Sequence, residues 1–202
     1  PVVTALLDAA GATAGLLAGR VVGLPTDTVY GLGASVAAPA AVSQIFELKR
    51  RPDGLALPVV VADESVLTHW GATWDPVARR LAASFWPGAL TIVVAADPAL
   101  ARLVGSRSGQ VGFRVPDHDA LRSILADVGP VALTSANRHG EAPCHDANEV
   151  RAAFAGSDVA GVFDAGRCDG AVSSVVVIDG DGWRVTRSGA IGDAALREVI
   201  GR

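Results

Sequence analysis

Short apolar runs alternate with amphipathic, helix-patterned stretches along almost the whole chain, and that alternation restricts the fold more than any other feature. A chain that keeps passing from strand to helix and back lays its helices on the faces of a sheet. Residues 4–19 read as a helix weakened by glycines, 20–24 as a short buried strand, and 25–33 as a polar, glycine-bearing turn. Ala41, Val42, Ile45, Phe46 and Leu48 mark a helix over 39–49. A strand over 58–62 and a helix over 75–86, with Pro76 in its first turn, come next. Strands at 90–95 and 111–115 precede a helix from about Asp119 to Asp127. The strand 131–133 runs straight into Thr134-Ser135-Ala136-Asn137, and Asp146 and Glu149 have capping-box spacing at the start of a helix over 146–154. Strands near 159–163, 174–178 and 183–186 lead to a last helix at 193–200, with a hairpin around Gly180-Asp181-Gly182. The expected fold is α/β of the α+β type. It is one three-layer domain over residues 1–202, a twisted mixed β-sheet flanked by helices.

Half of the 202 residues are hydrophobic and 19% are charged, which excludes disorder and supplies a sizeable core. The net charge of −4 gives no global basic field, so any anion must be held by a local cluster of cations. Cys144 and Cys168 have no metal-like spacing and suit a reduced, cytoplasmic protein. No apolar run approaches the length that spans a bilayer, so no membrane is expected. Phosphate-loop, dinucleotide-glycine and HExxH motifs are missing, and no serine sits in a nucleophile elbow. The histidines His69, His118, His139 and His145 lack metal-ligand spacing and read mostly as surface residues, leaving no protein ligand for a metal.

Polar clusters fall at strand ends, where sheet-and-helix proteins gather ligands. The first, Pro25-Thr26-Asp27-Thr28-Val29-Tyr30-Gly31-Leu32-Gly33, carries three hydroxyls, more than a plain turn needs, although Asx and Ser/Thr turns use the same residues. The second holds Lys49, the one lysine among 17 Lys and Arg residues, followed by Arg50 and Arg51. An ammonium is a point charge and a guanidinium a planar fork, so a lysine kept in an arginine-rich chain points to a phosphate site; compensation of a helix dipole is the plainer alternative. In the third, Arg114 alternates with Phe113 and Val115, faces away from them, and holds a carboxylate, either a ligand's or a structural aspartate's. The fourth is Thr134-Ser135-Ala136-Asn137, which could also be a cap or turn. Ser173, Ser174 and Arg187 add hydroxyls and a cation. The set is rich in cations and hydroxyls and poor in nucleophiles, a profile for binding a polyphosphate beside a small zwitterion and for catalysis by positioning and charge neutralisation.

Together and in this order, the clusters resemble the YrdC/TsaC family of threonylcarbamoyl-AMP synthases. The matching stretches are 25–33, Lys49-Arg50-Arg51, Trp86-Pro87-Gly88-Ala89-Leu90-Thr91, 111–116, 134–137, Ser173-Ser174 and Arg187-Ser188-Gly189-Ala190, in a short form without an extra C-terminal domain. The resemblance implies condensation of L-threonine, bicarbonate and ATP, with Mg²⁺, into threonylcarbamoyl-AMP and pyrophosphate. That adenylate serves N6-threonylcarbamoyladenosine formation at position 37 of tRNA. It places Thr28, Arg114, Ser135 and Ser173 at threonine, and Lys49, Arg51, Asn137 and Arg187 at ATP, with Lys49 and Arg51 as the catalytic cations. The implied partners are a downstream tRNA-modifying transferase complex and, weakly, tRNA. Arg50 stands where the family has a small residue, Leu55-Ala56-Leu57 where many relatives are polar, and Val61 near a usual histidine. Gln110 replaces a small hydroxyl, and Asp146 replaces a loop hydroxyl, where it caps its helix. Two alternatives stay open: an RNA-binding module of this fold, against which the 5% aromatic content speaks, and a related enzyme that forms carbamoyl groups or adenylates for another acceptor.

Overall fold

The computed structural model describes residues 4–52, 54–138, 140–180 and 182–201, so His139, Asp181 and the Asp53 that follows the arginine run lie outside the described residues. The first half of the chain forms β1 (Leu6–Leu7), α1 (Ala9–Leu17), β2 (Val22–Leu24), β3 (Gly31–Ser35), α2 (Pro39–Lys49), β4 (Val59–Val60), a 3-10 helix (Glu64–Trp70), α3 (Pro76–Phe85) and β5 (Leu90–Ala95). The second half forms α4 (Pro98–Leu103), β6 (Gln110–Arg114), α5 (Asp119–Val128), β7 (Val131–Ser135), α6 (Ala147–Ala153), β8 (Gly161–Phe163), β9 (Ser174–Asp179), β10 (Gly182–Arg187) and α7 (Asp193–Ile200). Among the described residues the strands make one sheet in the order β1-β8-β2-β3-β7-β4-β6-β5-β9-β10. It is mixed: β4 runs parallel to β6 and β5 to β9, whereas β3 with β7 and β5 with β6 are antiparallel.

Period-two alternation sorts the strands' side chains onto two faces. Val59, Ala132, Val111 and Phe113 pack with Val42 and Ile45 of α2, Leu81 of α3, Leu100 of α4, Val150 of α6 and Leu196 of α7. Val60, Val131 and Leu133 point the other way and pack with Leu16 of α1 and Leu121 and Leu125 of α5. Helices on both faces give the three layers expected. The helices α1 and α5 cover only the β8-β2-β3-β7-β4 end of their face; beyond β4 the same face continues over Thr91 and Val93 of β5, Gly112 of β6 and Val175 of β9 as the floor of an open hollow. No described helix is long and apolar enough to cross a membrane.

Two expectations need correction, and two short elements and one cap were not expected. The helix placed at 4–19 begins only at Ala9, because Leu6–Leu7 pair with β8 and Asp8 caps the helix by accepting from Gly11 N at 2.8 Å. The turn placed at 25–33 ends in a strand: Gly31 and Gly33 belong to β3, between β2 and β7. A Cβ on Gly33 would lie 2.7 Å from Leu24 Cδ1, so this glycine makes room for a neighbouring strand's leucine rather than for a turn. The 3-10 helix and α4, capped by Asp63 and Asp97, carry too few residues for a periodic signal. His118 is no bystander either, since its Nδ1 accepts from Leu121 N at 3.2 Å and caps α5. Asp146 caps α6 as expected, accepting from Glu149 N at 2.9 Å.

Candidate functional site

The loop between β2 and β3 is built by a single hydroxyl. Thr26 Oγ1 accepts from Thr28 N at 3.0 Å and Val29 N at 3.1 Å, and donates to Val29 O at 2.7 Å. Its proton being committed there, the 2.8 Å contact between the two threonine hydroxyls must be a donation from Thr28. Thr28 Oγ1 in turn accepts from Arg114 NH1 at 3.1 Å. Tyr30, fully buried, donates its hydroxyl to Gly166 O at 2.7 Å and so ties the 164–173 segment to this loop. Burial pushes the phenol up to about 12, which keeps it a donor. Of the three hydroxyls noted in the sequence, two therefore shape the wall and Thr28 alone faces the arginine.

Arg114 is held on three sides. Its Nε donates to Gly88 O at 2.9 Å, its NH1 to Thr28, and its NH2 to Asp27 Oδ1 at 2.6 Å in a largely buried ion pair. The residue is 7% exposed; burial lowers the pKa of the guanidinium, and Asp27 opposes that fall. The sequence left open whether a ligand or an aspartate meets Arg114, and in this structure Asp27 does. Nothing in the sequence set Asp27 apart from its neighbours, because residues 27 and 114 meet only across folded strands.

Lys49 and Asn137 stand behind the wall rather than in it. The lysine, 2% exposed at the end of α2, donates to Ser135 O and Asn137 O, each at 2.5 Å, and to Asn137 Oδ1 at 3.3 Å. All three of its donors are thereby engaged. Burial first, and then the charge of Arg51, bring the ammonium down to about 8. Asn137 is equally committed: Nδ2 donates to Arg138 O and Glu141 O, both at 2.8 Å, and Oδ1 also accepts from Ser135 Oγ at 2.5 Å. The pair clasps the 135–141 loop, so both side chains are engaged by the protein itself. Arg50, the residue after Lys49, takes a left-handed φ of 49° as the C-cap of α2, which explains why a small residue suits that position.

Arg51 and Arg187 do reach the interior. Arg51 donates to Leu55 O at 2.7 Å and Ala56 O at 2.9 Å, and Arg187 to Ser173 O and Ser173 Oγ, both at 2.8 Å. Alternation along β10 would send Arg187 to the side of Trp183 and Val185, which pack against the core. A β-bulge intervenes: Val185 pairs with Val176 and Arg187 with Val175, so one extra residue reverses the parity and turns Arg187 onto the open face. Ser173 Oγ also meets Thr91 Oγ1 at 3.0 Å. Thr28, Arg51, Arg114, Ser135, Ser173 and Arg187 thus line one open hollow of about 710 Å³ whose lining, among the described residues, contains no carboxylate. Burial lowers the pKa of both Arg51 and Arg187, and each is lowered further by another guanidinium, Arg187 acting on Arg51 and Arg114 on Arg187. Three cations pressed together, with Asp27 paired to one of them, make a site for an anion. No described cluster of His, Cys, Asp or Glu could hold a metal ion.

Residues 15–189 match the Sua5_yciO_yrdC family, described as Telomere recombination. The chain belongs to this family. Its relatives include a threonylcarbamoyl-AMP synthase of Bacillus subtilis, 36% identical over 185 residues, which cover 90% of this chain and 53% of the relative. One of Alkalilimnicola ehrlichii is 33% identical over 186 residues, covering 92% of this chain and 90% of the relative. Sua5 of P. abyssi, solved in complex with L-threonine, superposes with a TM-score of 0.87 at 30% identity, covering 94% of this chain and 56% of that one. YciO of E. coli gives a TM-score of 0.83 at 25% identity, covering 93% and 91%. The mixed three-layer sheet is therefore the Sua5/YciO/YrdC fold, as the motifs implied.

Proposed function

We propose that the chain is an L-threonylcarbamoyladenylate synthase, a nucleotidyltransferase that joins L-threonine, bicarbonate and ATP and releases pyrophosphate, for threonylcarbamoylation of tRNA adenosine 37. The observation that supports this most is the meeting of Arg51, Arg114 and Arg187 in a hollow lined, among the described residues, without a carboxylate. Relatives bearing that activity and a threonine-bound Sua5 of the same fold point the same way.

In this reading Arg114, already oriented by Asp27 and Gly88, turns its remaining N–H groups to the threonine carboxylate. Thr28, whose proton goes to Thr26, keeps an acceptor lone pair for the substrate's ammonium or hydroxyl. The threonine amine gives up a proton and bonds to the bicarbonate carbon, and water leaves. An oxygen of the resulting carbamate attacks the α-phosphorus, and the bond to the bridging oxygen of pyrophosphate breaks. Arg51 and Arg187 neutralise the charge that gathers on the phosphate oxygens, so no protein nucleophile is required. Lys49 is a positioning residue that fixes Ser135 and the loop after it. Among the described residues the lining of the hollow offers no carboxylate to a resident Mg²⁺, and Mg²⁺ that arrives on ATP belongs to the substrate. A cytoplasmic location and transfer of the adenylate to a tRNA-modifying complex form part of the same proposal.

Pyrophosphate release is the test. Release that requires threonine and bicarbonate is expected, and Lys49→Ala should slow it by roughly 100-fold, because the loop that carries Ser135 loses the clasp that positions it. Absent or threonine-independent release would refute the assignment.

A further inference from the structure

Arg114 Nε rests on the carbonyl of Gly88, 2.9 Å away, and the place of that carbonyl is decided outside the hollow. Gly88 lies in the turn from Trp86 to Leu90 that joins α3 to β5. Its N–H donates to Val115 O at 2.8 Å, and a Cβ on it would stand 2.5 Å from Phe85 O, so the turn folds tightly back on the end of α3. Trp86 closes the turn from its other side, where the indole Nε1 donates to Leu90 O at 2.7 Å. An indole has one donor and no acceptor, so this bond uses all the polar capacity of the ring. It fixes one edge of the indole and leaves the face to be fixed by packing.

Trp74 supplies that face. The two rings stack with centroids 5.5 Å apart and planes 26° from parallel, both half-buried against the larger core cluster. Trp74 stands just before the cap of α3, on a segment held independently of the turn it faces. Thr73 N donates to Ala95 O at 2.8 Å, and Trp74 O accepts from Arg79 Nε at 3.1 Å. A ring anchored on one segment therefore limits the tilt of a ring that carries another. We propose that Trp74 is a positioning residue for the carboxylate site: through Trp86 and the turn it closes, Trp74 sets Gly88 O and hence the plane of the Arg114 guanidinium. Thr28 and Asp27 belong to one loop and grip NH1 and NH2, while Gly88 supports Nε from a second segment. One N–H on each terminal nitrogen is left for a carboxylate, and a two-pronged grip depends on the direction of both. The ligand side of the proposal rests on the reading that Arg114 binds threonine; the link from Trp74 to Arg114 does not.

Two readouts separate positioning from simple packing. The first needs no ligand: the NMR signal of the Arg114 Nε–H group, identified by its loss in Arg114→Lys, reports the bond to Gly88 O. The second is the threonine KM in pyrophosphate release. Trp74→Leu keeps apolar bulk and removes the ring face. It should displace the Nε–H signal, speed its exchange with solvent by about tenfold or more, and raise the threonine KM by about tenfold. The ATP KM should change by less than about twofold. Trp74→Phe keeps a stacking face and should bring both readouts back to within about twofold of the unaltered protein. Trp86→Phe keeps the stack but removes the bond to Leu90 O; it should displace the same signal, and an unmoved signal there overturns the route even where Trp74→Leu does not fold. A folded Trp74→Leu with an unmoved Nε–H signal, with an unchanged threonine KM, or with equal rises in both KM values overturns the inference. A displaced signal in a protein that shows no threonine-dependent release upholds the link to Arg114 and refutes the synthase assignment, so the two failures are distinguishable.

Discussion

Arg114 reaches the hollow with its guanidinium already engaged by Gly88, Thr28 and Asp27, so the direction of its free N–H groups is set before any ligand arrives. Asp27 does not line the hollow and acts through the arginine. Asp27→Asn keeps an acceptor but removes the charge, and it should raise the threonine KM by about tenfold or more while changing the ATP KM by less than about twofold. Steady-state kinetics in each substrate checks this, and equal changes in both constants would point to a general loss of structure instead. Arg50 makes a different point. Its left-handed backbone is one that L side chains resist, at a cost of about 1 kcal/mol that glycine avoids. Arg50→Gly should therefore stabilise the protein by at most about 0.5 kcal/mol after the extra freedom of unfolded glycine is set against the gain, as read by denaturant titration.

Segments meet at this site through close backbone approach. The 164–173 segment lies against the loop of Asp27 and Thr28, tied there by Tyr30 and by Cys168 N donating to His145 O at 2.8 Å. A Cβ on Gly170 would stand 2.3 Å from Asp27 O and 2.8 Å from the Thr28 Cα, contacts with backbone that no rotamer relieves. Gly170→Ala should push this segment off the loop and weaken threonine binding by about tenfold or more, with a smaller loss of thermal stability, as positioning errors near 1 Å do at other sites. Threonine titration alongside thermal melting tests it. The bulge in β10 serves the site in a related way: with strict alternation, the side chain of Arg187 would point into the packed face.

Buried charge links the site to the stability of the whole molecule. The Lys49 ammonium, brought down from 10.5 to about 8, is held with more difficulty in the folded chain than in the unfolded one. Between pH of about 8 and 10.5 the unfolded chain binds more protons, so this group makes stability rise with pH across that window. Arg51, Glu141 and Cys144 face it, and the Cys144 thiol, raised from 9.0 to about 11 by burial, works in the opposite direction above pH 9.0. Comparison with Lys49→Met isolates the ammonium together with its own charge effect on Cys144: the melting temperature of the unaltered protein relative to the variant should climb from pH 8 to about 10. A constant difference would refute the buried-ammonium account. Most of this architecture was legible beforehand, since the stripe of α2, the Asp146 cap and the strand around Arg114 follow from periodicity and local chemistry. The cationic residues were legible too, because arginine and lysine at strand and helix ends are conspicuous in a chain with 19% charged residues. The Asn137 and Asp27 side chains that Lys49 and Arg114 touch lie more than 80 residues away, and local pattern carries no information about such partners. Asp27 behind Arg114 and the clasp of Lys49 on Asn137 exist because segments distant in sequence meet, and the parity change that exposes Arg187 comes from a bulge between neighbouring strands; only the assembled sheet imposes those registers.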